Sequence, residues 1–153
     1  MEDLKKTPFY ETHLRYGGKI IDFAGWALPV QFTGILEEHH ATRNSSTIFD
    51  VSDMGELIIR GENSLPMLQK LLVNNIGKGY PGKVIYSPMC NPQGGCVDDL
   101  MVMCYGTDHY MLVINAGNID KDFAWVRSVA AGFPGVQVTN ISSETAEVAV
   151  QGP

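Results

Sequence analysis

Val84-Ile85-Tyr86-Ser87-Pro88-Met89-Cys90, Asn91-Pro92-Gln93-Gly94-Gly95 and Cys96-Val97-Asp98-Asp99-Leu100-Met101-Val102-Met103-Cys104, read in succession, decide the architecture. The outer two are apolar runs of strand length. The middle one is dense in Pro, Gly and Asn, which force a tight reversal and therefore an antiparallel hairpin. Tyr105 to Asp108, with Gly106, gives the next short connection, into a third strand over Tyr110 to Asn115. A parallel sheet needs a helix in each crossover, and these connections leave no room for one. Working outward, Lys19 to Phe23, Glu56 to Arg60, Val136 to Ile141 and Ala146 to Val150 also read as strands.

Three segments carry the helical period. Ile35 to Arg43 places Ile35, Leu36 and His39/His40 on one side, with Glu37 and Glu38 in the first turns, where the helix dipole favours negative charge. From Ser64, a plausible N-cap with Pro66 just inside, Leu65, Leu68, Leu71 and Leu72 form a stripe that runs out at Asn74-Asn75. From Asn118, another plausible cap, Ile119, Phe123, Val126 and Ala130 form a third stripe that ends near Gly132 and Pro134. All three read as core-facing. The fold class is α+β: a mainly antiparallel sheet with about three helices packed on it.

Composition bounds the function. The 153 residues are 44% apolar and 18% charged, with 17 acidic against 11 basic side chains and a net charge of −6. One sizeable core is expected, without a second domain of ordinary size. An acidic chain whose longest basic run is Lys5-Lys6 lacks the clustered positive field that nucleic acid or an anionic membrane requires. No stretch reaches the roughly 20 apolar residues that span a bilayer, and the Met1-Glu2-Asp3 start is acidic where a secretory leader is basic, so a cytoplasmic location is expected. Cys90, Cys96 and Cys104 are an odd set without CxxC spacing, which reads as thiols on neighbouring strands rather than a disulfide or zinc site. His39 and His40 project about 100° apart on a helix and are poorly placed to share a metal ion, so no metal is expected.

Some polar residues stand where the pattern asks for apolar ones. Asp98 and Asp99 begin an otherwise apolar strand, and alternation sends them to opposite faces. Two readings stand: both cap the hairpin, or one is a partly buried carboxylate of raised pKa that orients or deprotonates an amine. Asn115 ends the run Met111-Leu112-Val113-Ile114 and precedes the small pair Ala116-Gly117, which suits either a strand-ending turn or close approach of a ligand. Tyr86 lies on the strand beside the Asp pair, as a half-buried core residue or as a ligand platform. Asp50-Val51-Ser52-Asp53-Met54-Gly55 suits a loop at a pocket mouth and equally an ordinary connection. No GxGxxG, P-loop or nucleophile elbow is present.

These residues, together with Thr7-Pro8-Phe9-Tyr10-Glu11-Thr12-His13, Asp22-Phe23-Ala24-Gly25-Trp26-Ala27-Leu28-Pro29-Val30, Phe49 to Glu56, Gly94 to Leu100, Val113-Ile114-Asn115-Ala116 and Gln151-Gly152-Pro153, resemble the glycine cleavage system T protein family, folate-dependent aminomethyltransferases. The resemblance runs from Thr7 to the last residue and is with the N-terminal portion of proteins more than twice as long. Residues 1–153 are therefore expected to be the N-terminal portion of a folate-binding region.

The resemblance implies transfer of an aminomethyl group from the lipoyl arm of the H protein to tetrahydrofolate, with release of ammonia. It implies Asp99 as the carboxylate facing folate, with Asp98 left to the hairpin. Met54 and Tyr86 would line the pteridine pocket, and Val113 and Asn115 would bind the polar edge of the ring. Asp53 stands where most relatives have His, and the family's further folate contacts lie beyond residue 153. The isolated chain is therefore expected to turn over little, and its last strands to expose edges and apolar surface that favour self-association. The alternative is a non-catalytic folate-binding or interaction module akin to the folate domains of dimethylglycine- and sarcosine-oxidising enzymes.

Overall fold

The computed structural model describes residues 4–153; the acidic start Met1-Glu2-Asp3 lies outside the described residues. In chain order the helices are α1 (Tyr10–Arg15), α2 (Ile35–Asn44), α3 (Ser64–Leu71) and α4 (Ile119–Ala130). The strands are β1 (Ile20–Phe23), β2 (Trp26–Pro29), β3 (Thr47–Asp50), β4 (Gly55–Arg60), β5 (Val84–Cys90), β6 (Cys96–Cys104), β7 (His109–Ile114), β8 (Gln137–Asn140) and β9 (Val148–Gln151). Among the described residues, every ladder between two of these strands is antiparallel. The expected α+β class holds, with α1 as a fourth helix.

The chain separates into two compact units: Met54–Thr145, and Met1–Asp53 with Ala146–Pro153. Met54–Thr145 is built on a five-stranded sheet in the order β5-β6-β7-β4-β8. Side chains alternate across it. Leu57 and Ile59 of β4, Leu112 and Ile114 of β7, Leu100 and Val102 of β6, and Ile85 and Met89 of β5 point to one face. Met67, Leu68 and Leu71 of α3 and Val126 and Ala130 of α4 join them in one buried cluster. The 91–95 turn reverses the chain as expected, with Gly94 at φ 83° and the Asn91 side chain accepting the amides of Gln93 and Gly95. The outer edge of β5 is held by the segment after α3: Leu72 bridges Met89, and the Val73 amide bonds the Pro88 carbonyl.

The other unit pairs β1 with β2 and β3 with β9. Its buried polar centre is Asp50, whose Oδ2 accepts from the Thr7 hydroxyl at 2.6 Å and bonds His13 Nε2 at 2.7 Å. Ile48 and Val150, directly paired between β3 and β9, are both well exposed, so apolar surface beside the last strand is present as expected.

Several local expectations are corrected. No residue of α2 is buried, and Ile35 and Leu36 are among the exposed apolar side chains, because this short helix carries charged or polar groups on most of its circumference. The cap of α3 is Asn63 rather than Ser64 and makes no side-chain cap bond; its amide donates instead to the Pro134 carbonyl at 2.8 Å. The Asn118 cap of α4 likewise makes no side-chain capping bond. Of the cysteines, all free, Cys104 is buried, Cys90 half-buried and Cys96 exposed at the hairpin end. Among the described residues, no helix is long and apolar enough to cross a membrane.

Candidate functional site

The two carboxylates of β6 divide as alternation demands, but the burial falls on the member assigned to the hairpin. Asp98, opposite Met89, is only 8% exposed and faces the core side, whereas Asp99, opposite Pro88, is solvent-exposed on the other face. Asp98 is therefore an interior residue of the strand and not a turn cap. Asp99 sits two residues from Met101, on the face away from the helices.

That face carries a continuous row. Tyr86 of β5 is paired with Met101 of β6, and Met101 with Val113 of β7. Exposure falls along the row: Tyr86 is 57% exposed, Met101 half-buried and Val113 buried. The Tyr86 hydroxyl donates to Asp99 Oδ2 at 3.0 Å. That bond to an anionic acceptor, more than any desolvation, raises the Tyr86 phenol above its ordinary pKa, because removing its proton would bring two negative charges together. The result is a carboxylate held at one oxygen over the edge of an apolar strip.

Asn115 ties the two sides of β6 to the end of β7. Its side-chain amide donates to Asp98 Oδ1 at 2.8 Å and to the Asp99 carbonyl at 3.0 Å. Met54 is half-buried immediately before β4, at the end of the ladder where Gly55 pairs with Ile114. The structure thus joins Tyr86, Asp99 and Asn115 directly by hydrogen bonds, and places Val113 in the same cross-strand row as Tyr86. Met54 stands at the same end of the β4–β7 ladder as Asn115.

Behind Asp99, on the core side, lies a group that sequence reading passed over. Asp122, in the first turns of α4, is 0% exposed. Lys121 Nζ donates to Asp122 Oδ1 at 2.6 Å and to the Val97 carbonyl at 2.7 Å. Burial and a hydrogen bond with the Asp98 carboxyl raise Asp122 to about 7, against the nearby Lys121 charge. For Asp98, burial pulls upward, but bonds from Asp122, Asn115, the Asp99 amide and Asn118 outweigh it and hold the group below its ordinary value. The expectation of a raised, partly buried carboxylate in the Asp98–Asp99 pair is not met, since Asp98 is held low and Asp99 is exposed; the raised carboxyl behind β6 is Asp122 of α4. The polar face of α4 masked it, since an Asp there reads as solvated. Met101 was passed over inside an apolar run; its two-residue step from Asp99 was the available signal.

In the other unit, Asp53 and Glu147 are raised by burial foremost, with the Asp50 charge adding at Asp53 and the Asp53 charge adding at Glu147. A groove of about 490 Å³ runs beside α4 and β8, lined by Arg127, Ala130, Ala131 and residues 136–139, and none of the row residues lines it.

Residues 9–153 match the family model described as the GCVT N-terminal domain. The chain is 54% identical over all its 153 residues to the aminomethyltransferase of Moorella thermoacetica, covering 42% of that protein. It is 50% identical, again over its full length, to the aminomethyltransferase of Caldanaerobacter subterraneus subsp. tengcongensis, covering 41%. Among solved structures, the glycine cleavage system aminomethyltransferase T from Bartonella henselae superposes with a TM-score of 0.91 at 36% identity, over 98% of this chain and 41% of that one. The chain spans about two fifths of the length of the relatives it matches.

Proposed function

The chain belongs to the GCVT N-terminal domain family, and on that premise we propose that it is part of an aminomethyltransferase of glycine catabolism. The protein would move an aminomethyl group from the lipoyl arm of the H protein to tetrahydrofolate and release ammonia. The observation that carries this reading is the Tyr86 to Asp99 hydrogen bond at the end of the Tyr86–Met101–Val113 row.

The donor set fits tetrahydrofolate. A pteridine is flat, with apolar faces and N–H groups on its rim, and the row offers a thioether and a valine beside an acceptor-only carboxylate. Bound tetrahydrofolate supplies the nitrogen that takes up the one-carbon unit. Asp99 is the proposed catalytic residue, orienting that nitrogen and receiving its proton. The Tyr86 hydroxyl occupies one Asp99 oxygen and leaves the other free for an N–H donor. Asn115, bonded to the Asp99 carbonyl, holds the strand in place and with Val113 meets the polar rim of the ring. Met54 closes the pteridine side from the loop before β4.

Aminomethyl transfer also requires that water be kept from the reacting carbon, or the carbon is lost as formaldehyde. Asp99 and Tyr86 are both exposed in this chain, so the 153 residues do not themselves provide that shield. The isolated chain is proposed to bind tetrahydrofolate weakly and to turn over little. Its partners would be the lipoylated H protein and, through the exposed apolar pair on β3 and β9, further copies of itself at high concentration. Nothing in the geometry favours a purely non-catalytic module.

The test is tetrahydrofolate titration of the chain and of Asp99→Asn, followed by calorimetry, with a turnover assay on lipoylated H protein. Weaker binding in Asp99→Asn and turnover far below that of a full-length relative are expected. Equal binding in both proteins removes Asp99 from the site; turnover matching a full-length relative refutes the claim that the shield is missing.

A further inference from the structure

The two buried carboxyl groups behind β6 each have an oxygen that no N–H or O–H donor reaches: Asp98 Oδ2 and Asp122 Oδ2. The two carboxyl groups nonetheless lie against each other, each acting on the other's titration as a side-chain hydrogen-bonding partner. Two carboxylate oxygens can bond only if one carries a proton, and the raised Asp122 is the group suited to carry it, with its Oδ2 and Asp98 Oδ2 both lacking any other partner. The remaining oxygens are engaged on opposite sides: Asp98 Oδ1 by the Asn115 amide, and Asp122 Oδ1 by Lys121. The same Asn115 amide grips the Asp99 carbonyl. A chain of bonds therefore runs from α4 through Asp122, Asp98 and Asn115 to the backbone of the residue proposed to face folate.

We infer that Asp122, in its protonated form, is a positioning residue for Asp99, acting through Asp98 and Asn115. The inference rests on the proposed role of Asp99. With the shared proton in place, Asp98 stays directed at Asn115, and Asn115 fixes the end of β6 against the end of β7. Loss of that proton sets two buried negative charges against each other, which breaks the Asp98–Asp122 bond and drives Asp98 off Asn115. The charged groups facing Asp122 are Asp98 from β6 and Lys121 beside it on α4, and the neutral amides of Asn115 and Asn118 adjoin Asp98. Lys121, anchored also to the Val97 carbonyl, opposes the repulsion without removing it.

Two readouts separate this inference from the folate reading. In the chain alone, the Asn115 side-chain amide resonances should step with a midpoint near pH 7. Asp122→Asn should abolish the step, because its amide mimics the protonated acid by donating to Asp98 while its oxygen accepts from Lys121. Asp98→Asn, which can donate to an ionised Asp122, should move the Asp122 titration to lower pH. With tetrahydrofolate, the wild-type chain should bind about tenfold more weakly at pH 8 than at pH 6, as only the protonated fraction is competent. Asp122→Asn should bind equally at both. A wild-type Asn115 amide without a step near pH 7, a step that persists in Asp122→Asn, or pH-independent wild-type binding would each overturn the inference. Failure of every protein to bind tetrahydrofolate would refute the proposed function instead, and the Asn115 step alone would then decide the linkage.

Discussion

Raising the pH from 5 to 8 should destabilise the Met54–Thr145 unit by an amount set largely by one side chain. Asp122 titrates near 7 in the folded chain against an ordinary value of 3.8. The folded state therefore binds more protons than the unfolded state between those values, and stability falls as the pH rises through that window. The contribution is complete below the unfolded value and gone above the folded one. The extra proton is nearly whole at pH 5, half at pH 7 and about a tenth at pH 8, so at about 1.36 kcal/mol per unit the loss from pH 5 to 8 is roughly 2–3 kcal/mol. Asp98, Asp50 and Glu38 are shifted the other way, so their gains lie almost wholly below pH 5, and the small remainder for Glu38 is common to wild type and variant. Asp53 and Glu147 are raised in both wild type and variant, so comparison with Asp122→Asn cancels them.

The assay is urea unfolding at pH 5, 6, 7 and 8, followed by fluorescence in a Trp26→Phe background, which leaves Trp125 as the single tryptophan reporter. With a urea slope of about 1–3 kcal/mol per molar, the wild-type midpoint should fall by roughly 1–3 M more across the range than that of Asp122→Asn, which keeps only the smaller slope that Asp53 and Glu147 impose on both. A wild-type minus variant difference that is flat from pH 5 to 8 would refute the shared-proton reasoning.

Leu112→Ala removes a fully buried side chain on a strand flanked by β4 and β6, opposite Leu57 and Val102, and should cost about 3–5 kcal/mol in urea or thermal unfolding. Gly61→Ala places a methyl group against the Gly135 carbonyl at a backbone φ of 126°, and should lower stability by about 2 kcal/mol or more; unchanged stability would show that the 135–136 backbone yields freely. Asp99→Asn should lower the Tyr86 phenol toward its ordinary pKa, read by ultraviolet titration against Tyr86→Phe to identify the signal. No change there would mean that the Tyr86 to Asp99 bond is absent in solution.

The sequence was most legible where backbone chemistry is local. The limits of β5 and β6 follow from the Pro/Gly/Asn turn between them, and β4 and β7 from apolar runs with clear ends. β2 was missed because Asp22-Phe23-Ala24-Gly25 turns with Ala24 itself at φ 51°, a conformation its side chain does not advertise. β3 was missed because its partner β9 lies about a hundred residues away, and long-range pairing leaves no local trace. The helix over residues 35–44 was legible as a helix, but not as an exposed one. At the site, alternation correctly separated Asp98 from Asp99 and could not tell which faced inward, since both follow the same turn. Asp122 was invisible because its partner is on another element.

The register of the β5–β6 hairpin shifts once, between Met89 and Cys90, just before the turn. Since neighbouring side chains on a strand face opposite ways, a one-residue slippage would turn Asp98 outward and bury Asp99. Changes in loop length during the divergence of such chains are therefore constrained: a residue gained or lost between 91 and 95 must be absorbed at this irregularity, or the interior acid and the surface acid exchange places.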